Sequence, residues 1–183
     1  MAQASVAARE RFAKKNEAED LRRAFEKLDT KGDGKIDPEE LGNVFQLLRH
    51  KTKKSDIEDM IWEVDDDCDK CVNWPEFQAM YHRCRNDKTG YEPRRLFNVV
   101  EFLMNDKDDN GSVSVEEAMQ ILYLRHGRSL LDTQLEEIFG TSDTNSMKDL
   151  SLTEFLESLN SSHVKQLRSK AAAKLFKPLP GKP

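Results

Sequence analysis

The stretch Asp106–Glu117, DKDDNGSVSVEE, places oxygen-bearing side chains at regular intervals. Asp106, Asp108 and Asn110 occupy its first, third and fifth positions, and Glu117 closes it at the twelfth. Carboxylate and amide oxygens are the ligands that calcium prefers, and it takes roughly six to eight of them. The stretch therefore predicts a loop that wraps around one divalent cation.

The remaining positions of this stretch complete the set of ligands. Gly111 stands at the sixth position, where the chain must turn sharply with positive φ. The seventh residue can offer its backbone carbonyl and the ninth its side chain, directly or through water. The predicted calcium ligands of this loop are Asp106, Asp108, Asn110, Ser112, Ser114 and Glu117.

The same pattern occurs four times along the chain, with starts 36, 41 and 37 residues apart. In each copy an aspartate is followed eleven residues later by a glutamate, which defines loop 1 (29–40), loop 2 (65–76), loop 3 (106–117) and loop 4 (143–154). An aliphatic residue always stands at the eighth position: Ile36, Val72, Val113 and Leu150.

Apolar residues flank each loop at the spacing of an amphipathic helix. Leu21, Phe25 and Leu28 precede loop 1 in this way. The corresponding residues elsewhere are Leu41, Val44, Phe45, Leu48, Ile57, Ile61, Val64, Phe77, Met80, Tyr81, Leu96, Val100, Leu103, Ala118, Ile121, Leu122, Leu131, Leu135, Ile138, Phe155, Leu156 and Leu159. The predicted fold class is all-α.

Helix, twelve-residue acidic loop and helix resemble the EF-hand, and the chain resembles the calmodulin-like EF-hand superfamily over roughly residues 18–160. The phrase SDIEDMIWEVD, residues 55–65, is very similar to a calmodulin-type helix entering its loop. The resemblance implies four EF-hands paired in two lobes, with a short β-bridge between the eighth positions of paired loops. It also implies Ca2+ as the bound ion, with Mg2+ as a competitor.

Breaks in the helical pattern suggest the domain boundaries, since Gly90 and Pro93 interrupt helix between two groups of loops. The expected organisation is an N-terminal extension (1–17), an N-lobe with hands 1 and 2 (18–84), a linker (85–95), a C-lobe with hands 3 and 4 (96–160) and a basic tail (161–183). We expect helix in the extension.

The tail differs from the rest of the chain in charge. Residues 160–183 contain six Lys or Arg and no Asp or Glu, so the remainder of this chain of net charge −5 carries −11. Residues 162–176 can form a basic amphipathic helix that docks on an acidic partner. A tail that stays solvated until assembly is the alternative.

Loop 1, DTKGDGKIDPEE, lacks one oxygen because Lys31 stands at its third position. We expect this lysine to swing into solvent and water to replace the missing ligand, so that binding is weaker. A hand kept only for structure is the alternative. The ligands that remain are Asp29, Asp33, the carbonyl of Lys35, Asp37 and Glu40.

Loop 2, DDDCDKCVNWPE, has a full set of oxygens but Lys70 at its sixth position. A non-glycine residue at positive φ costs about 1 kcal/mol, whereas micromolar binding is worth about 8 kcal/mol. We therefore expect weakened binding. The predicted ligands are Asp65, Asp67, Asp69, the carbonyl of Cys71, Asn73 and Glu76.

Loop 4, DTNSMKDLSLTE, has two faults, Met147 at the fifth position and Lys148 at the sixth. It keeps Asp143, Asn145, Ser151 and Glu154. We expect loop 4 to act structurally, by pairing with loop 3.

Cys68 and Cys71 lie inside loop 2 and leave three interpretations open. They can be unreactive reduced thiols, or a redox pair whose disulfide distorts the calcium site. They can also bind zinc together with His82 and Cys84, although the helix between the two pairs separates them by about 12 Å. For Trp62, on the helix before loop 2, we expect core or lobe packing.

Several function classes receive no support from the sequence. It shows no nucleophile–base arrangement and no phosphate-binding loop, so we expect no enzymatic activity. It has no apolar run of membrane-spanning length, no signal peptide and no myristoylation site, and its three cysteines are too few for a disulfide framework. We expect a reducing, cytoplasmic compartment and neither membrane nor nucleic acid as a partner.

Within the superfamily, the chain resembles the small EF-hand subunits of the ciliary outer dynein arm docking complex. The features that carry this resemblance are Cys68-x-x-Cys71 inside loop 2, the block YEPRRLFNVVEFLMNDKDDNGSVSVEEA at 91–118, and a mass near 21 kDa. It implies a cytoskeletal location on the axonemal doublet microtubule of a cilium or flagellum. The implied partners are coiled-coil docking subunits and the outer dynein arm. A free calmodulin-like sensor and a calcium-independent structural subunit are the alternatives.

Overall fold

The computed structural model describes residues 2–87, 89–117, 119 and 148–159, with side chains from residue 15 onward. Its helices are α1 (Ala2–Leu28), α2 (Pro38–Leu47), α3 (Lys54–Trp62), α4 (Trp74–Asn86) and α5 (Arg95–Asn105). Its strands are β1 (Lys35–Ile36), β2 (Val72–Asn73), β3 (Ser112–Val113) and β4 (Leu150–Ser151). Residues 152–159 are also helical. The described chain is mostly helical, as predicted.

The four short strands form two antiparallel pairs that join the loops. In the pair β1–β2, Ile36 lies opposite Val72, and in the pair β3–β4, Val113 lies opposite Leu150. The predicted contact between eighth positions is therefore confirmed in both pairs. These four side chains are buried, so each pair of loops is held together by hydrogen bonds above a small apolar cluster.

The last residues of loops 1 and 2 also begin the following helices. Asp37 accepts a hydrogen bond from the Glu40 amide at 2.8 Å, and Glu40 Oε2 accepts one from the Asp37 amide at 3.0 Å. Asn73 and Glu76 form the same reciprocal cap at the start of α4. Such capping boxes satisfy amide groups that a helix N-terminus leaves unpaired. They hold both twelfth-position glutamates in place.

Apolar residues predicted to face the core are buried wherever the structure describes them, apart from Leu48, Leu156 and Leu159, which are partly buried against it. The expectation for Trp62 is wrong, because its side chain is 76% exposed. On α3 the buried residues are Ile57, Met60 and Ile61, and these form the stripe that the helix turns inward. Trp62 ends the helix beyond that stripe and faces outward.

The buried apolar residues that the structure describes form one continuous core. Every residue of α5 from Leu96 to Met104 is buried. A helix that is buried on all sides must be covered by neighbours from several directions. On one side α1 packs along α5, and α4 contributes Tyr81, whose ring lies 5.6 Å from that of Phe97. Phe155 reaches the same helix through Phe102, with ring centroids 5.7 Å apart.

The helix break predicted around Gly90 and Pro93 lies between Asn86, the last residue of α4, and Arg95, the first of α5. Asp87 holds this connection in place, since its carboxylate accepts hydrogen bonds from the amides of Thr89 at 2.7 Å and Gly90 at 2.9 Å. The hydrogen bond from the Thr89 hydroxyl, followed by these amide bonds, holds the pKa of Asp87 below its usual range.

From Ala2 onward the predicted N-terminal extension is helical and forms the first part of α1, which continues without interruption to Leu28. Near its end, Glu17 accepts hydrogen bonds from Tyr81 Oη at 2.9 Å and Arg85 Nε at 3.1 Å. The extension and the first EF-hand helix are thus a single element that α4 contacts from the side. Across the described residues, no helix is both long enough and apolar enough to cross a membrane.

Candidate metal centres

Loop 2 brings three carboxylates together. One oxygen each from Asp65, Asp67 and Glu76 lies within 4.8 Å of the others, a separation that one metal ion can bridge. Glu76 is buried, and its two oxygens accept hydrogen bonds from the amides of Asp66 at 3.0 Å and Asn73 at 2.9 Å. All these donors are hard oxygens, so the site fits calcium rather than a thiophilic metal.

The predicted fifth-position ligand of loop 2, Asp69, is held by two hydrogen-bond donors. Its Oδ2 accepts a hydrogen bond from Lys35 Nζ, in loop 1, at 2.5 Å, and its Oδ1 accepts one from the Cys71 amide at 2.9 Å. The Lys35 ammonium lowers the pKa of Asp69, and the hydrogen bond to Asp69 raises the pKa of Lys35. Asp69 therefore stands outside the group formed by Asp65, Asp67 and Glu76.

The backbone of loop 2 has positive φ at two non-glycine residues, Cys68 (61°) and Lys70 (66°). The value at Lys70 confirms that the sixth position adopts the left-handed conformation. The sequence analysis predicted this conformation only at the sixth position and missed it at the fourth. Loops 1 and 3 repeat it at Gly32 (68°) and Asp109 (60°). Gly32 was the signal in the sequence that could have identified it.

The three cysteines are free and lie in different surroundings: Cys68 is exposed, Cys71 partly buried and Cys84 buried. Cys84 Sγ donates a hydrogen bond to the Pro93 carbonyl at 3.3 Å, and burial raises its pKa to about 11. Burial, followed by the negative charge of Asp69, also raises the pKa of Cys71.

The zinc interpretation is wrong for the part of the chain that the structure describes. There the group of side chains spaced to hold a metal is the acidic one in loop 2, and it includes neither a cysteine nor His82. Cys84 lies in the core, on the side of α4 that contacts Pro93, so it cannot join the two thiols of the loop.

Loop 1 differs from the expectation that Lys31 turns into solvent. Lys31 Nζ pairs with Asp37, the ninth-position ligand, and lies 3.6 Å from Glu39. The hydrogen bond to Asp37 raises the pKa of Lys31. For Asp37, partial burial favours a higher pKa, but the bonds from Lys31 and from the Glu40 amide outweigh it and the pKa is lowered. Loop 1 thus supplies its own cation to one of its predicted ligands.

The other loop 1 ligands are held by the backbone. Asp29 accepts hydrogen bonds from the amides of Asp33 at 3.1 Å and Gly34 at 2.9 Å. Glu40 accepts one from the Lys31 amide at 2.8 Å. The loop is closed by these bonds and by Lys31 together, so its shape is that of an EF-hand loop with an internal positive charge.

Loop 3 contains the predicted ligands in an internally bonded arrangement. Asp106 is buried and accepts hydrogen bonds from the amides of Asn110 and Gly111, both at 3.1 Å. Asn110 Nδ2 donates to Asp108 Oδ2 at 2.8 Å, so these two predicted ligands are hydrogen-bonded to each other. Burial raises the pKa of Asp106.

The last residues of loop 3 are also hydrogen-bonded to one another. Ser114 donates to Glu117 Oε2 from both its amide and its hydroxyl, each at 2.9 Å. The hydroxyl of Ser112 donates to Asn110 Oδ1 at 2.5 Å. The predicted side-chain ligands of loop 3 are therefore held by donors within the loop, as Asp65, Asp67 and Glu76 are in loop 2.

Two basic residues of α1 contact the end of α5 and the start of loop 3. Arg23 Nη2 donates to the Met104 carbonyl at 2.7 Å, and Lys27 Nζ donates to the Asp106 carbonyl at 3.1 Å. Lys27 also pairs with Asp109. Cations at a helix C-terminus satisfy carbonyls that the helix leaves unpaired. Sequence reasoning missed both residues, because their acceptors are backbone atoms far along the chain.

Loop 4 is described only from Lys148 onward, and the predicted residues Asp143, Asn145 and Met147 lie outside the described residues. In the described part, Ser151 donates to Glu154 Oε2 from its hydroxyl at 2.6 Å and its amide at 2.9 Å. The hydroxyl bond lowers the pKa of Glu154. Its pairing with β3 is the structural role that the sequence predicts for this loop.

Comparison with known proteins agrees with the loop geometry. The model of an EF-hand domain pair matches residues 18–82. "Probable calcium-binding protein CML27" of Arabidopsis thaliana is 30% identical over 84% of this chain and 85% of its own length. A calmodulin-like protein of Oryza sativa subsp. japonica is 30% identical over 74% of this chain and 79% of its own length. Troponin C of Todarodes pacificus is 26% identical over 74% of this chain and 88% of its own length. The chain belongs to the EF-hand family of calmodulin-like calcium-binding proteins.

Proposed function

We propose that this protein is a calcium-responsive regulator in which loops 2 and 3 take up calcium. The observation that carries the proposal is the convergence of Asp65, Asp67 and Glu76 within 4.8 Å. Carboxylates gathered in this way repel one another, and a bound dication would offset that repulsion. The proposed role is binding rather than catalysis, and the relatives' names support it.

The proposed calcium sites are connected to the helices through shared residues. Asn73 and Glu76 are predicted ligands of loop 2 and also the capping box of α4. A change in the position of the Glu76 carboxylate therefore alters how α4 begins. Because α4 contacts both α1 and α5, such a change reaches the continuous core.

Loop 3 has a corresponding connection through α1. Asp106 is a predicted ligand whose backbone carbonyl is bound by Lys27, and its neighbour Met104 is bound by Arg23. Our proposal includes four hands in two pairs, which the antiparallel pairing of β3 with β4 supports. Regulation then consists of a change in how tightly α1 and α5 pack, since an ion shifts an equilibrium only through different affinities for its states.

A second candidate is a fixed subunit of the outer dynein arm docking complex on the axonemal doublet microtubule, beside coiled-coil subunits. The resemblance of residues 91–118 and the position of Cys68-x-x-Cys71 favour it. Trp62 and Tyr91 are 76% and 90% exposed, as expected of side chains that anchor a partner helix. Tagged protein should then stay on isolated axonemes in chelator, whereas a free sensor should wash away.

The calcium sites are tested by calorimetric titration in reductant and in chelator-treated buffer. We expect wild type to bind at loops 2 and 3, Glu117→Gln to retain the loop 2 signal, and Glu76→Gln to retain the loop 3 signal. Glu39→Gln is the matched control, because Glu39 is exposed and adjacent to a loop ligand without being one. Absence of heat up to millimolar calcium in wild type would overturn the proposal.

A further inference from the structure

We infer that Lys35, a residue of loop 1, sets the calcium affinity of loop 2 by holding the Asp69 carboxylate away from the other ligands. The inference rests on the proposed function of loop 2 as a calcium site. It adds a regulatory residue that belongs to the neighbouring hand.

The strand pairing places Lys35 where it can do this. Lys35 lies opposite Asn73 in the β1–β2 pair, so its side chain starts directly above loop 2. From there Nζ reaches Asp69 Oδ2 at 2.5 Å, while Asp69 Oδ1 is taken by the Cys71 amide at 2.9 Å. Both oxygens of the fifth-position ligand are therefore engaged by donors.

The position of Asp69 relative to the other carboxylates of loop 2 agrees with this contact. Asp65, Asp67 and Glu76 come within 4.8 Å of one another, and Asp69 does not belong to that group. For Asp69 to become a ligand, one of its oxygens must leave its donor. The Lys35 ammonium is the donor that a dication can replace, because the amide bond from Cys71 is part of the turn and costs backbone rearrangement.

The positive charge of Lys35 should also weaken calcium binding at loop 2. A calcium ion and the Lys35 ammonium would both be drawn to the same carboxylate and would repel each other. The side chains of Lys35 and Asp69 are 50% and 30% exposed, so solvent screens the pair and its effect is moderate. We expect removal of the ammonium to tighten calcium binding at loop 2 by about three- to tenfold.

The experiment isolates loop 2 by placing all variants in a Glu117→Gln, Trp62→Phe background. Trp74 then reports binding, since it follows the ligand Asn73 and stacks on Phe77. Lys35→Met should lower the calcium dissociation constant, and Lys35→Arg, which keeps the charge, should stay close to the background value. Lys54→Met is the matched control, because it removes the same charge and an ion pair with Glu58 at the far end of α3.

A double-mutant cycle separates the specific contact from the general loss of one positive charge. In an Asp69→Asn background, Lys35→Met should change the affinity by less than about twofold, because the carboxylate that Lys35 holds is absent. An equal effect of Lys35→Met with and without Asp69 would overturn the inference. An equal effect of Lys35→Met and Lys54→Met would do so as well.

Amine labelling provides a readout on wild-type Lys35 itself. Lys35 should react slowly with an acetylating reagent in chelator and several-fold faster when loop 2 is filled, with Lys54 as the internal reference. The increase should be absent in Glu76→Gln. If the background protein shows no calcium binding that depends on Glu76, the proposed function of loop 2 is overturned. If that binding is present, but the acetylation rate of Lys35 does not respond to calcium and Lys35→Met leaves the affinity unchanged, only the role of Lys35 is overturned.

Discussion

Lys27, on α1, donates a hydrogen bond from Nζ to the backbone carbonyl of Asp106 at 3.1 Å, across 79 residues of sequence. The same ammonium pairs with Asp109 in loop 3. One side chain of the first EF-hand thus contacts both the first ligand residue and the left-handed fourth residue of the third loop. The two halves of the described chain are connected at loop 3 by polar contacts and not only through apolar packing.

Replacing Lys27 should weaken this connection. Its side chain is 21% exposed, and a hydrogen bond from a charged group contributes about 1.5–3 kcal/mol at most, so we expect Lys27→Met to lower the free energy of unfolding by about 1–2 kcal/mol. Urea denaturation in chelator measures it. Lys15→Met is the control, since Lys15 forms a surface i,i+4 pair with Glu19 and its loss should change stability by less than about 0.5 kcal/mol. Equal effects of the two variants would contradict this reading of Lys27.

Loop 1 should gain calcium binding when Lys31 is exchanged for a residue with an oxygen. Lys31→Asn removes the internal cation from Asp37 and supplies the missing third-position ligand. We expect the calcium stoichiometry measured by calorimetry to rise by one. Lys31→Met removes the charge without adding an oxygen and should leave the stoichiometry unchanged. If Lys31→Met also adds a site, the charge alone was blocking the loop.

Lys70 carries a backbone cost that glycine would relieve. Its φ is 66°, and a non-glycine residue in the left-handed region costs on the order of 1 kcal/mol. Lys70→Gly should therefore tighten calcium binding at loop 2 by about fivefold, in titrations that follow Trp74 fluorescence. Lys51→Gly is the control, because it makes the same exchange at an exposed residue that does not have positive φ. It should not increase either the free energy of unfolding or the calcium affinity of loop 2. No gain at Lys70 would show that its backbone cost is the same with and without calcium, so that it does not enter the affinity.

His50 should make stability depend on pH. Its Nδ1 lies 2.9 Å from Thr153 Oγ1, and burial lowers its pKa below the ordinary value of 6.5, although the negative charge of Glu157 acts in the opposite direction. The folded protein therefore favours neutral His50. Its contribution is complete above the ordinary pKa and is lost as the pH falls through 6.5 towards the lower folded value.

Urea midpoints at several pH values between neutral and about 5.5 test this directly. His50→Gln should flatten the decline that wild type shows on acidification. The exposed His82 provides the comparison, and His82→Gln should retain the wild-type profile. A wild-type decline that His50→Gln leaves intact would assign the pH dependence to other groups.

Oxidation of the two thiols in loop 2 should lower its calcium affinity. Forming the Cys68–Cys71 disulfide transfers two electrons and two protons to an added disulfide oxidant, which is reduced to its dithiol. It also constrains the residue whose carbonyl is a predicted ligand and whose amide binds Asp69. Since burial raises the pKa of Cys71, the reaction should speed up as the pH rises. Calcium titrations of the reduced and oxidised protein, with the disulfide verified by mass, measure the effect, and Cys68→Ser is the control that cannot form the disulfide. Identical curves for the reduced and oxidised wild type would contradict the redox hypothesis.

The sequence alone determined the parts of this protein that depend on residues close together in the chain. The twelve-residue spacing, the helical stripes and the aliphatic eighth positions predicted the loops, the helices and the pairing of Ile36 with Val72, and the structure contains these features where it describes the chain. These features are local because a loop ligand set and a helix face are specified by intervals of a few residues. The helix break near Gly90 follows from the same kind of local chemistry.

Tertiary structure decided where the long side chains of the loops and helices go. An ammonium on a flexible stem binds whichever acceptor the fold brings within reach, so the contacts of Lys31, Lys35 and Lys27 could not be read from spacing. The exposure of Trp62 and the continuous core around α5 have the same origin, because neighbouring helices determine which faces are covered. The oxygens of each loop follow from sequence, whereas the competition of lysines for those oxygens follows from the fold.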